Sequence, residues 1–206
     1  MAIRFLYFDL GNVLVNFSHQ KMCEQMAQVA GLPAEKVWQV IFDTDLLQKY
    51  EDGTLDDRGF YDAFCAATGT TPDYDELKRA GSDIFCPNDA ITPLVTQLRA
   101  AGHRMGILSN TCPAHWDHCR TSKYYATSKM FSTFALSYKL GAIKPSPEIF
   151  ARAAEQAGVA PEEIFFTDDI PGHVAAAKAA GWDAVPYTTP AALAADLRKR
   201  GVTSNY

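Results

Sequence analysis

Apolar positions along the chain follow two regimes. Phe5–Phe8 is an uninterrupted apolar run, the pattern of a strand buried on both faces of a parallel sheet, and it ends on a carboxylate, Asp9. Over residues 18–86 the spacing becomes helical instead. Met22, Met26, Val29 and Ala30 lie on one helix face, and Gly31-Leu32-Pro33 stops that helix and starts a second carrying Val37, Trp38, Val40, Ile41 and Phe42. Tyr50 to Thr54 reads as a turn, with Thr54 as N-cap of a helix bearing Phe60, Tyr61 and Phe64 and closed by Gly69. Residues 72–85 read as one more, so 18–86 is expected to be an all-helical insert of about four helices.

From Pro87 onward, helices and short apolar strands alternate. Helix is expected over 89–101, strand over 104–108, a helix with Pro113 in its first turn, and strand over 134–137. A loop over 139–147 leads to a helix over 148–157, a strand over 163–167, a small-residue helix over 172–180, a strand over 184–187 and a last helix over 191–200. Repeated strand and helix units imply an α/β fold: a three-layer, Rossmann-like parallel sheet with helices on both faces. Residues 1–17 and 87–206 would form this core domain, with 18–86 inserted into it.

Composition narrows the function classes. The 206 residues are 48% hydrophobic and 21% charged, as in a globular protein large enough for one substantial core. A net charge of −5 without any basic run argues against nucleic acid as a partner. No apolar stretch reaches bilayer length, and a single Arg before the first strand is not a signal peptide, so the expectation is a cytoplasmic protein without a membrane partner. Five cysteines without a Cys-x-x-Cys pair suit free thiols. Cys112, His115, His118 and Cys119 resemble zinc ligands by type, but one helix cannot wrap four ligands around a tetrahedral ion, and a mixed helix face is the preferred reading.

Three polar signatures close expected strands: Asp9, then Ser109 with Asn110, then Asp168 with Asp169. Strand ends of a parallel sheet share one edge, so these groups converge despite their separation in sequence. Lys144, in the loop before a helix, is a plausible fourth member.

This order of motifs, with a helical insert directly after the first, resembles the haloacid dehalogenase superfamily over essentially the whole chain. The opening Asp9-Leu10-Gly11-Asn12-Val13 is similar to that of bacterial phosphatases acting on glucose 1-phosphate. The resemblance implies a magnesium-dependent phosphatase whose partner is a small phosphorylated metabolite. It implies that Asp9 is the nucleophile, that Ser109, Asn110 and the cation Lys144 grip phosphate, and that Asp169 with Asp168 bind metal. Mg2+ prefers hard oxygen ligands, which suits Asp9, Asp169 and a backbone carbonyl, here that of Gly11. Lys144 would also add positive charge beside the nucleophile, and attack by Asp9 would give an aspartyl-phosphate that water hydrolyses.

One departure bears on substrate. Most phosphatases of this superfamily carry a second Asp two residues after the nucleophile as general acid, and here that position is Gly11. Such help is worth ~10² to 10⁴ in rate, so its loss favours leaving groups that need little protonation, with sugar 1-phosphates first. A second departure is His173, where relatives often carry Asn; an exposed helix histidine is its ordinary reading. Two alternatives remain: a non-catalytic phosphate-binding protein that lost its acid, and a hydrolytic dehalogenase, which Gly11 and the Asp168-Asp169 pair fit poorly. The insert is expected to act as a substrate-selecting cap, with Tyr50 to Thr54 reaching the site and His19 near the hinge. Trp116 and Tyr124 are possible rim residues, although core packing is their more ordinary use.

Overall fold

Among the described residues, five parallel strands carry the molecule: β1 (Phe5–Phe8), β4 (Met105–Ser109), β5 (Thr133–Leu136), β6 (Ile164–Asp168) and β7 (Asp183–Pro186). Their order in the sheet is β5-β4-β1-β6-β7. The computed structural model describes residues 2–121 and 129–203. Every residue of the central strand β1 is buried, which is why its sequence is apolar without alternation. Its side chains still divide by the period of the pleat: Leu6 and Phe8 join one hydrophobic cluster, Phe5 and Tyr7 the other. Tyr7 stacks on Trp182 at 5.5 Å and donates its hydroxyl to the carbonyl of Ala153 at 2.9 Å, so this polar tip is satisfied inside the core.

Helices cover both faces: α6 (Thr92–Ala100), α7 (Pro113–Thr121), α8 (Ser137–Leu140), α9 (Pro147–Ala157), α10 (Pro171–Ala179) and α11 (Pro190–Lys199). Ser137, expected to close the third strand, instead opens the short helix α8. Among the described residues no helix is long and apolar enough to cross a membrane. Trp116 is buried against Phe134 at 5.1 Å, the packing role, and Tyr124 lies outside the described residues.

The segment between β1 and α6 departs from expectation in two ways. Val15–Phe17 (β2) and Phe85–Pro87 (β3) pair antiparallel, with Asn16 opposite Cys86, so the chain leaves and re-enters the core through a two-stranded ribbon. Three residues per strand are too few for a period-2 pattern to register. Between them lie five helices rather than about four: α1 (His19–Ala30), α2 (Ala34–Phe42), α3 (Leu46–Glu51), α4 (Asp57–Thr68) and α5 (Tyr74–Ser82). Tyr50 and Glu51 form the last turn of α3, a helix too short to show repeats. Asp56, not Thr54, caps α4, its carboxylate accepting from the Gly59 N–H at 2.8 Å.

Helix α3 is pinned to the core just past its end. Gly53 has φ +82°, and a Cβ there would lie 2.4 Å from the carbonyl oxygen of Tyr138 in α8. Gly53→Ala therefore combines left-handed strain with a collision against backbone, and is expected to lower stability by about 2 kcal/mol. A melting temperature within 1 °C of the parent protein would show that this contact is not maintained.

A second link joins α7 to α5, where the buried His115 donates Nε2–H to the carbonyl of Gly81 at 3.0 Å. Burial pushes the His115 pKa from 6.5 down to about 4, with the Gly81 carbonyl opposing and His19 and His118 adding. The unfolded chain thus binds this proton more tightly than the folded one. His115 costs nothing above pH 6.5, and as pH falls from there toward 4 it removes about 3 kcal/mol of stability. Urea titrations of the parent and His115→Gln proteins across that window check this; equal pH slopes would refute it.

Candidate active site

The register of the sheet assembles the site. Phe8 pairs with Thr167, so the next residues, Asp9 just past β1 and Asp168 at the end of β6, stand side by side at the sheet edge, and the Asp9 N–H donates to the Thr167 carbonyl at 3.0 Å. Strand β4 delivers Ser109 to the same edge from the other side of β1. Of the residues singled out in the sequence, Asp9, Gly11, Ser109, Asn110, Lys144 and Asp169 line one cavity of about 230 Å3. Asp168 lies directly beneath them, fully buried.

Lys144 binds this edge together. Its Nζ donates to Asp9 Oδ1 at 2.7 Å, to Asp168 Oδ2 at 2.6 Å and to the Leu108 carbonyl at 3.0 Å. An ammonium has three N–H bonds, so all three are engaged. With Lys144 only 2% exposed, the two carboxylates must outweigh a large desolvation cost, and they do so by holding its pKa above the usual lysine value. Burial raises Asp9 while Lys144 pulls it back. Burial also opposes the Asp168 charge, but His173 and Lys144 outweigh it and keep that carboxyl below the usual range.

Asn110 fixes the backbone that carries this lysine. Its Nδ2 donates to the Lys144 carbonyl at 2.9 Å and its Oδ1 accepts from the Lys144 N–H at 2.7 Å. The side-chain amide thereby acts as a strand-like partner to the segment that carries Lys144. Ser109 is buried, with its Oγ donating weakly to the Asn110 carbonyl at 3.2 Å.

Asp168 is bonded at both oxygens. Oδ1 accepts from the Ile170 N–H at 2.8 Å, Oδ2 from Lys144, and His173 Nδ1 lies 3.1 Å from each. His173 is therefore an anchored neighbour of the acidic pair, not the exposed helix histidine the sequence suggested. Asp169 receives Nδ2–H of Asn12 at 3.1 Å on Oδ2. Asn12 sits at φ +54°, a left-handed conformation that Asn tolerates better than most residues. Its bond to Asp169 has no sequence signal beyond the turn itself.

One ligating oxygen each from Asp9, Asp168 and Asp169 lie within 4.8 Å of one another, and among the described residues this is the only group of three or more that could hold a metal ion. Carboxylate oxygens around a site partly neutralised by Lys144 suit a hard divalent cation. The four Cys and His residues of the 112–119 region take other partners: His115 bonds Gly81, His118 lies 3.7 Å from Asp83, and Cys112 and Cys119 are buried free thiols.

Position 11 has a steric explanation. A Cβ on Gly11 would lie 2.6 Å from Cε1 of Phe17, whose ring fills the space where a side chain would project. Phe17 in turn packs on His19 and Phe85, at 4.9 and 6.0 Å between ring centres.

Residues 3–181 match the family model described as haloacid dehalogenase-like hydrolase. The chain belongs to this family. This hydrolase is 26% identical to D-ribitol-5-phosphate phosphatase of Bacteroides thetaiotaomicron over 88% of its own length and 90% of that protein's. A crystal structure of a HAD family enzyme from the same organism, in complex with magnesium and inorganic phosphate, superposes with a TM-score of 0.78 at 25% identity, covering 91% of this chain and 96% of that one. L-2-haloacid dehalogenase from Xanthobacter autotrophicus, at 20% identity and a TM-score of 0.65 over 98% of this chain and 84% of that one, shares the fold.

Proposed function

We propose that this hydrolase is a magnesium-dependent phosphatase acting on a small phosphorylated sugar or polyol through an aspartyl-phosphate on Asp9. The observation that carries the reading is Lys144 braced between Asp9 and Asp168 on a cavity that also exposes Asp169. A metal-free dehalogenase has no evident use for the Asp168-Asp169 pair. The named relative and the magnesium- and phosphate-bound neighbour support the same reading.

The residues divide the work. Lys144 holds Asp9 by Oδ1, leaving Oδ2 to attack phosphorus as the bond to the leaving oxygen breaks. Water then attacks phosphorus, cleaves the acyl phosphate and returns the carboxylate. Asp9, Asp169 and the Gly11 carbonyl are the proposed holders of magnesium, which when bound would offset the charge between nucleophile and phosphate. Asp168, bonded at both oxygens, is proposed to fix Lys144 and His173 beside them. The segment 18–86 is proposed to be the cap that closes over this edge.

Gly11 offers no proton at the position where most phosphatases of this superfamily carry an acid, which supports sugar 1-phosphates as the substrate class. The named relative favours a polyol 5-phosphate instead. Phosphate release from sugar 1-phosphates, sugar 6-phosphates, ribitol 5-phosphate and an aryl phosphate, with magnesium and with chelator, decides between them. Magnesium-dependent release is the expected result. Tight phosphate binding with no release from any ester would favour a non-catalytic phosphate-binding protein.

A further inference from the structure

We infer that Glu51 is the specificity-determining residue of the cavity, accepting hydrogen bonds from hydroxyl groups of the leaving group and turning away phosphate esters that carry a second anionic group. The inference rests on the phosphatase reading and names the class of leaving group that reading leaves open. Glu51 is the last residue of α3 and lines the same cavity as Asp9 and Lys144. The rest of α3 faces elsewhere: Leu46, Leu47 and Tyr50 are buried, with the Tyr50 ring stacked on Phe60 at 4.6 Å and its hydroxyl bonded to Asp57. The contact of Gly53 with Tyr138 fixes the end of the helix against the core. Glu51 thus reaches the site from a braced element.

Its carboxylate has no hydrogen-bond donor among the described residues, although it is half-buried. A carboxylate so enclosed takes its hydrogen bonds from whatever enters the cavity. Lys144 is the only lysine or arginine among the described lining residues, and its three N–H bonds are spent on Asp9, Asp168 and Leu108. Phosphate is proposed to sit at the Asp9 edge, so its leaving group points toward Glu51, His19, Phe17 and Phe85. His19 lies between the rings of Phe17 and Phe42, at 4.9 Å from each, and burial lowers its pKa, so it adds no standing positive charge there. Burial and nearby Asp9 and Asp52 also work against the charge on Glu51, with Lys144 opposing. A second anion placed beside it adds to a cost already present, whereas hydroxyl donors relieve that cost.

The test compares the parent protein with Glu51→Gln and Glu51→Lys on ribitol 5-phosphate and on 3-phosphoglycerate, a phosphorylated hydroxy acid. The ratio of kcat/KM for the polyol ester over the acid is expected to fall about 10-fold or more in Glu51→Gln and further in Glu51→Lys, with KM carrying most of the change. The same order is expected in dissociation constants measured on Asp9→Asn proteins with and without the Glu51 changes. Turnover with ratios that do not move in either variant would overturn the role of Glu51 alone. No turnover of any ester by the parent protein would overturn the phosphatase reading and this inference with it.

Discussion

Asp9→Asn is expected to lower phosphate release by about 10⁴-fold or more, because an amide nitrogen or oxygen at this position cannot form the acyl phosphate. The fold should survive. The amide is nearly isosteric, its oxygen can still accept from Lys144 Nζ, and Asp168 continues to neutralise that lysine at 2.6 Å. Removing one of two adjacent buried carboxylates also relieves the repulsion that Asp168 exerts on Asp9. Rapid acid quench with labelled substrate should trap phosphate on the parent protein and none on the variant. Residual turnover within about 10-fold of the parent would place the nucleophile elsewhere.

Lys144→Met should harm stability as well as rate. It strips the shared cation from Asp9 and Asp168, which are 6% and 0% exposed, and leaves the Leu108 carbonyl without this donor. Breaking a buried pair in this way costs about 3–5 kcal/mol, whereas an exposed pair such as Arg58 with Asp62 contributes ~0–1 kcal/mol. Urea denaturation measures the difference directly. A loss below about 1 kcal/mol would mean that the two carboxylates are not both charged around the lysine in solution.

How far the sequence alone reaches follows from these same residues. Asp9, Ser109 and Asp168 were legible because each ends a strand of the sheet, and a parallel sheet sends such ends to one edge. Lys144 was recognisable as a partner, but not the reciprocal bonds by which Asn110 holds its backbone, since a side chain replacing a strand partner leaves no periodic trace. The ribbon of β2 with β3 and the six-residue helix α3 were too short to declare themselves. Glu51 lies in the Tyr50 to Thr54 segment expected to reach the site, but read as part of a turn it had no defined face, and its place at the end of a packed helix is what sets it in the cavity wall. The place of His173 against Asp168 was not legible because the short loop between β6 and α10 folds it back onto that carboxylate, a contact with no helical periodicity.

The ring of Phe17 above Gly11 has a consequence for how this site can change. An Asp at position 11 would have to displace an aromatic side chain that itself leans on His19 and Phe85, so the substitution is obstructed while Phe17 stays. A smaller residue at 17 would open the space but leave a hole beside the cavity and gain nothing while position 11 is Gly. Positions 11 and 17 are thus sterically coupled: a carboxyl group at 11 requires the Phe17 ring to move or to be replaced, so the two positions form one design unit.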